Sequence, residues 1–299
     1  MNLNRLKHVV ALAEERSFAR ASERVNLSQP AFSRSIQAAE AEVGILLFDR
    51  GTTGVTPTPA GIFVIERARK LLFDSRCLER DISLYKQSQT GDVPFGAGPF
   101  PAATLLPTLM PELRLRYPDV AFRVEVNNWT YLLDHLRNEA LDFFVADTRD
   151  LPHGPDLDII TLAQQPGGFY VRAGHPLLTQ AMVRATDITT YGVASVRLPQ
   201  RIRMAMTQLL ALEPEAPLPM VLECDDVQTL KCTALGSDSV LGAVHAAVIN
   251  EVASGQLVQL QIANMPPLYS EVGIVALRGR SHSPIGKFVI ERLRELATQ

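Results

Sequence analysis

The chain has 299 residues, 46% hydrophobic and 20% charged, with a formal net charge of −3; this excludes a disordered or fibrous protein and gives material for about two globular units. No apolar run approaches the roughly 18 residues that a membrane-spanning helix needs, and the three cysteines, Cys77, Cys224 and Cys232, form neither a disulfide framework nor a zinc knuckle. Charge is uneven: residues 1–90 hold 13 Lys/Arg against 10 Asp/Glu, and the remainder 16 against 22, so the basic excess sits in the N-terminal third.

Leu3, Leu6, Val9, Val10 and Ala13 recur on one face and predict a first helix. Lys7, His8, Glu14 and Glu15 interrupt it, unlike the continuous apolar stretch of an export signal, so a cytoplasmic location without membrane contact is expected. Ser17 is an N-cap for a second helix through Val25, closed by a turn at Asn26-Leu27. Ser28 caps a third, Gln29 to Val43, with Pro30 in the first turn, where a missing N–H costs nothing. Phe32, Ile36, Ala39 and Val43 form its apolar face, while Gln29, Ser33, Arg34 and Gln37 cluster on another. Gln and Arg make bidentate contacts with adenine and guanine edges, and small Ala31 lets the backbone approach DNA. An ordinary solvent-facing stripe has the same composition, so residue types alone leave both readings open.

From Pro59 a long helix is predicted to about Gln89, with Val64, Ala68, Leu71, Ser75, Leu78, Ile82 and Tyr85 spaced alternately by 4 and 3. Such a stripe serves either a dimer seam or packing on the chain's own core, and Cys77 beside it reads as filler. Beyond Gly91, short apolar strands alternate with amphipathic helices, as in α/β layers. Strands are predicted at Val93–Ala97, Ala121–Val126, Phe143–Ala146, Gly168–Arg172, Gly192–Ser195, Met220–Glu223 and Ser239–Val244. Helices are predicted at Thr104–Tyr117, Tyr131–Asn138, Arg201–Leu212, Val227–Leu235 and Pro284–Ala297.

In open α/β sheets ligands bind outside the carboxyl ends of strands, which selects Gly98–Ala102, Asn128–Thr130, Asp147–Thr148, Val196–Gln200 and Asp225–Val227. Trp129 and Phe100 offer stacking surfaces, and Asn128 and Thr130 offer hydrogen bonds. Arg197 suits a carboxylate, whereas Asp147, Asp225 and Asp226 suit an amine. The bland alternative for each is a cap or packing role, above all for Asp225 and Asp226 at a helix start. Pro99, Pro101 and Val227 complete the candidate lining. An enzyme or an exported solute-binding receptor are the rival functions of such lobes. No nucleophile elbow, P-loop, dinucleotide fingerprint or metalloprotease motif occurs, and the six histidines show no metal spacing. No catalytic residue, metal ligand or bound cofactor is therefore assigned. Glu223 and Asp225 flank Cys224 and disfavour a thiolate, which argues against a thiol switch with Cys232.

The run from Ser17-Phe18-Ala19-Arg20-Ala21-Ser22-Glu23-Arg24-Val25 through Asn26-Leu27-Ser28-Gln29-Pro30-Ala31-Phe32-Ser33-Arg34-Ser35-Ile36 is followed by Glu40, Gly44, Leu47-Phe48-Asp49-Arg50 and Thr58-Pro59-Ala60-Gly61. This pattern resembles the LysR-type transcriptional regulators, and Leu105-Leu106-Pro107, Tyr117-Pro118-Asp119-Val120, Leu141-Asp142 and Gly174-His175-Pro176-Leu177 extend the likeness. The resemblance implies a multidomain α plus α/β protein: a winged helix-turn-helix (1–58), a dimerising linker helix (59–90), and a two-lobed Rossmann-like domain of periplasmic-binding-protein type (91–299). Lobe I comprises 91–163 and 268–299 and lobe II 164–267, with crossings near 163 and 267. Ser28, Gln29, Pro30, Ser33, Arg34 and Gln37 would meet DNA, with Arg50 and Thr58 near phosphates. The implied function is a sequence-specific regulator acting as a homodimer or tetramer on a roughly palindromic promoter, with a small-molecule co-inducer in the cleft and RNA polymerase as a further partner. Two departures stand out. The wing segment Gly51-Thr52-Thr53-Gly54-Val55 lacks the family's basic residues, and Ala39 replaces a usual leucine. Gly98-Pro99-Phe100-Pro101 also lacks the hydroxyls that follow the first strand in other members, which points to an effector with an apolar part and an amino group rather than a simple dicarboxylate.

Overall fold

A computed structural model describes residues 1–51, 54–86, 92–152, 154–213 and 216–298, in two compact units, one built on Met1–Lys86 and one on the residues from Asp92 onward. In the first unit α1 (Leu3–Glu15) starts at Asn2, whose side chain accepts from the Arg5 N–H at 2.9 Å. Helix α2 (Phe18–Arg24) starts at Ser17, and α3 spans Gln29–Val43, as the sequence predicts. Gly44 ends α3 at φ +73°, a left-handed conformation that glycine adopts without strain. A hairpin of β1 (Phe48–Gly51) and β2 (Gly54–Pro57) leads into α4 (Pro59–Lys86).

Phe32, Ile36 and Ala39 of α3 pack with Val9, Leu12, Ala21 and Leu47. The buried face of α1 differs from the expected one: Leu3 is 44% exposed, and Leu12 is fully buried. The reason is that α1 is sandwiched, with Val9 and Leu12 in the α3 core and Leu6 against Ala68 and Leu72 of α4. The expected seam along α4 divides for the same reason. Ala68 is committed to the chain's own core and Val64 packs against it, whereas Leu71, Leu78 and Ile82 stay exposed. The side chains of Arg50, Cys77 and Tyr85, the wing residues Thr52 and Thr53, and the expected helix end at Gln89 lie outside the described residues.

Glu40 fixes the entry to the hairpin. Its carboxylate is buried and one oxygen accepts from the Leu47 N–H at 2.9 Å and the Phe48 N–H at 3.2 Å. Gly61 presses on the same segment from α4, where a Cβ would fall 2.0 Å from the Leu47 carbonyl oxygen. Leu47 is thus held from both sides.

The second unit is built on one mixed sheet in the order β4-β3-β5-β11-β6-β9-β7-β8, with β10 also on β6. The parallel strands β3 (Asp92–Ala97), β4 (Ala121–Val126) and β5 (Phe143–Asp147) form one half. The parallel strands β7 (Val193–Ser195), β8 (Met220–Glu223) and β9 (Val240–Val244) form the other. Between them run the antiparallel β6 (Leu157–Arg172) and β11 (Leu268–Leu277), and β10 (Leu257–Gln259) closes on β6. Helices α6 (Leu106–Arg116) and α11 (Pro284–Ala297) cover the first half, burying Leu109, Leu113, Val289 and Leu293 on Phe95 and Phe143. In the second half α9 (Val227–Gly236) and α10 (His245–Ala253) share one core, and α8 (Gln200–Leu209) enters another.

Three expectations change. The helix expected at Thr104–Tyr117 is α6, and a further short helix, α5 (Pro99–Thr104), replaces the loop expected at Gly98–Ala102, with Pro99 and Pro101 in a first turn that needs no N–H donors. Helix α7 starts at Trp129 and ends at Arg137. Strand β11, the first half of β6 and helix α10 are additional to the predicted elements.

Replacing Glu40 by Ala strands two buried N–H groups, at a cost of about 3 kcal/mol. Differential scanning calorimetry of the E40A chain is expected to lower the transition of the N-terminal unit by about 10 °C or more and leave the other transition in place.

Candidate functional site

The polar face of α3 forms the first site. Ser28, Gln29, Pro30, Arg34 and Gln37 are exposed and Ser33 is half-buried, opposite the buried Phe32, Ile36 and Ala39. Ser28 occupies the N-cap position but makes no side-chain capping bond, so its hydroxyl stays available at the helix start. Arg34 has no hydrogen bond or ion pair among the described residues, whereas Arg5, Arg20 and Arg24 face Glu42, Glu15 and Glu14. On the other flank His8 Nδ1 lies 2.7 Å from Ser35 Oγ, and burial pushes the His8 pKa down. Thr58, expected near a phosphate, has its hydroxyl engaged within the chain. Its hydroxyl donates to the Leu46 carbonyl and accepts from the Gly61 N–H, both at 2.9 Å, so it is committed to starting α4.

The second site is the cleft between the two halves of the mixed sheet. A cavity of about 120 Å³ is lined by Pro99, Phe100, Pro101, Asn128, Trp129, Asp147 and Arg197, seven of the expected residues. An adjoining cavity of about 480 Å³ shares Asn128, Trp129 and Arg197 and adds Thr130. Pro99 to Pro101 reach the cleft on α5, not on the loop expected there. Asn128 is also the N-cap of α7, accepting from the Thr130 N–H at 3.1 Å and the Tyr131 N–H at 3.2 Å; this cap projects the Trp129 ring, in the first turn, at the cavity.

Asp226 and Val227, expected in the lining, line neither of these two cavities. Asp226 caps α9, accepting from the Gln228 and Thr229 N–H groups at 3.2 Å, and the Thr229 hydroxyl bond holds its carboxyl below the usual range. Val227 is buried in a core of the second half. Asp225 lines the smaller cavity instead and accepts from the Arg197 N–H at 3.3 Å.

Residues outside the expected set complete the walls. Gly167 and Gly168 from β6, Tyr269 and Ser270 from β11, and Ile202 and Met206 from α8 line the smaller cavity. At Gly168 a Cβ would fall 2.8 Å from the side-chain amide nitrogen of Gln259, the movable end of a flexible side chain, so the bare strand leaves that amide its place. The adjacent glycines were the available signal in the sequence. Arg149, two residues beyond Asp147, lines both cavities. Its Nε donates to Asp147 Oδ1 at 2.9 Å, and Ser270 Oγ donates to Asp147 Oδ2 at 3.0 Å. Asp147 is therefore neutralised within the protein and not held open for an amine. What remains facing the cavity is mainly apolar, and among the described residues no cluster could hold a metal ion. No described helix is long and apolar enough to cross a membrane.

Residues 3–62 match the profile described as bacterial regulatory helix-turn-helix protein, lysR family, and residues 86–298 match the LysR substrate binding domain. The chain is 38% identical over 288 residues to an SDS degradation transcriptional activation protein of Pseudomonas sp., covering 95% of this chain and 92% of that one. It is 28% identical to the HTH-type transcriptional regulator GalR of Pseudomonas putida, covering 99% and 74%. Its fold is shared with full-length LysG of Corynebacterium glutamicum with bound effector Arg, at a TM-score of 0.63, 14% identity and coverage of 100% and 98%. A full-length OxyR variant from Pseudomonas aeruginosa superposes at a TM-score of 0.56 with 23% identity, covering 99% of both chains.

Removing one partner of the Asp147–Arg149 pair leaves a mostly buried charge alone. Arg149→Met is expected to destabilise the C-terminal unit by about 3 kcal/mol in urea unfolding, and the Asp147→Asn/Arg149→Met double variant by less. A double variant weaker than the single one would show that the pair is not closed upon itself.

Proposed function

The chain belongs to the LysR family of DNA-binding transcriptional regulators, and from that premise we propose which residues read DNA and what kind of molecule the cleft senses. The observation that carries the reading is the exposed face of α3, where Arg34, Gln29 and Gln37 are uncommitted beside a fully buried opposite face. Placed in a major groove, Arg34 addresses a guanine edge and the two glutamines adenine edges, with Ser33 alongside. Ser28 and Pro30 lie at the helix start, where a phosphate fits. Arg50 is the further phosphate contact. We assign 1–58 to the reader, 59–90 to the linker and 91–299 to the effector domain. The exposed Leu71, Leu78 and Ile82 of α4 are the contact through which two copies pair, and paired readers require a two-fold related site. Action in the cytoplasm, tetramer formation and contact with RNA polymerase follow from the same reading, and the chain regulates without catalysing.

For the effector, the walls favour a molecule with a long apolar portion. Phe100, Trp129, Ile202, Met206 and Leu268 offer apolar surface, burial of which contributes about 25 cal/mol per Å², while the nearby carboxylates are already bonded within the protein. The relative named for SDS degradation fits this chemistry, and we take alkyl sulfates and related amphiphiles as the effector class. The amino group expected from sequence has no open acceptor in Asp147.

Arg34→Ala is expected to weaken binding to a footprinted promoter site about tenfold or more, while binding to unrelated duplex changes about twofold. Equal losses on both DNAs would make Arg34 a phosphate contact and overturn base reading. In calorimetry, dodecyl sulfate below its micelle concentration is expected to bind saturably, and succinate is not; the reverse result would overturn the effector class.

A further inference from the structure

Helix α8 begins without a cap of its own. Pro199, in the N-cap position, makes no side-chain capping bond, and Arg197 and Leu198 before it carry no acceptor. A helix start exposes N–H groups that need partners, and the helix dipole favours a carboxylate there. The partner comes from across the cleft. Asp150, just past β5, accepts from the Gln200 N–H and lies 3.8 Å from the Arg201 guanidinium, with its side chain only 12% exposed. Strand β5 belongs to the core of the first half of the sheet, and α8 to a core of the second. Asp150 and Gln200 also line the larger cavity beside Trp129. The bond therefore spans the mouth of the cleft rather than stabilising one half alone.

We propose that Asp150 is a cross-cleft clasp, a positioning residue that caps α8 only when the two halves are closed and thereby sets the affinity for the effector. The inference rests on the cleft being the effector site. Arg201 is 76% exposed, so its ion pair adds little; the backbone N–H bond is the clasp. An opened cleft returns Asp150 to water and leaves α8 uncapped, which biases the equilibrium towards closure. Apparent affinity scales with the closed fraction, so weakening the clasp weakens binding even when every residue touching the ligand is intact.

The test separates a clasp from a simple cap. In Asp150→Ala both roles are lost. In Asp150→Ala/Pro199→Asp a cap is restored within the second half, without crossing the cleft. Nitroxide labels at the exposed Asn138 and Gln208, in full-length chain with the native cysteines replaced by serine, report the separation of the halves without ligand. Asp150→Ala is expected to broaden the distance distribution towards longer values, and the double variant is expected to stay broadened. Dodecyl sulfate is expected to bind Asp150→Ala about fivefold more weakly than the parent chain. An unchanged distribution in Asp150→Ala, or full recovery in the double variant, would overturn the clasp. If dodecyl sulfate fails to bind the parent chain while the distances shift as stated, the effector class is wrong and the clasp stands.

Discussion

The antiparallel ladder between β6 and β11 is the constraint on which the C-terminal unit depends. The sixteen-residue β6 pairs with β11 from Leu157↔Leu277 to Gly167↔Leu268, with a register shift at Val272/Gly273. One end of this ribbon carries β5 and the other carries β9 and β10. Each half of the sheet is parallel and closed by its own helices, so each places the carboxyl ends of its strands, and the loops that follow, towards the ribbon's middle. The cleft lies there because two parallel half-sheets share a pair of crossing strands. The same geometry makes Gly167, Gly168, Tyr269 and Ser270 part of its wall. Distinct cores lie on either side, joined by the ribbon and by α5, whose Phe100 and Ala103 pack on the core of the second half.

Charge around the cleft is arranged to be silent. Asp147 is held by Arg149 and Ser270, Asp225 by the Arg197 N–H, Asp226 by the start of α9, and Asp150 by the start of α8. Four carboxylates close to the cavities are thus answered from within the chain. Selection among ligands then falls to shape and apolar burial, with Trp129 and Phe100 on one side and Ile202 and Met206 on the other. A site of this kind discriminates modestly, because one methylene more or less in an apolar pocket changes binding by only about 1–3 kcal/mol.

The N-terminal reader was legible almost to the residue because its signals are local: Ser28 and Pro30 mark the start of α3, Gly44 its end, and the apolar spacing its inner face. The resemblance implied crossings near 163 and 267, but the residues themselves did not read as strands there, for a physical reason. Strand β6 contains Gln164-Gln165-Pro166-Gly167-Gly168, a composition that reads as a turn. The proline falls where β6 pairs with β11 alone, one residue before β9 joins at Gly167, an edge-like position in which a strand tolerates it. Helix α10 follows β9 directly at His245, with no turn residue to mark the change of period. In the cleft the expectation failed by one residue: of the adjacent Asp225 and Asp226, the first faces the cavity and the second caps the helix. A helix start turns consecutive side chains by about 100°, and no sequence pattern tells which of two aspartates takes the cap.

The reader's own charge bookkeeping favours specificity over brute affinity. The first 90 residues carry only three more cations than anions, and several of the cations are already paired, Arg5 with Glu42, Arg24 with Glu14 and Glu15, and Arg69 with Glu14. Sequence-independent binding grows with the number of phosphates neutralised, and each cation paired within the chain is one less available for it. Arg34 is an exposed guanidinium with no ion pair among the described residues, on the face that also carries Gln29 and Gln37. On the proposed reading, Arg34, Gln29 and Gln37 put the attraction where base edges are read, and pairing of two copies through the exposed stripe of α4 adds to the affinity of one. Under that proposal the spacing of two reading helices would set the hold on DNA, and it is the quantity an effector has to alter.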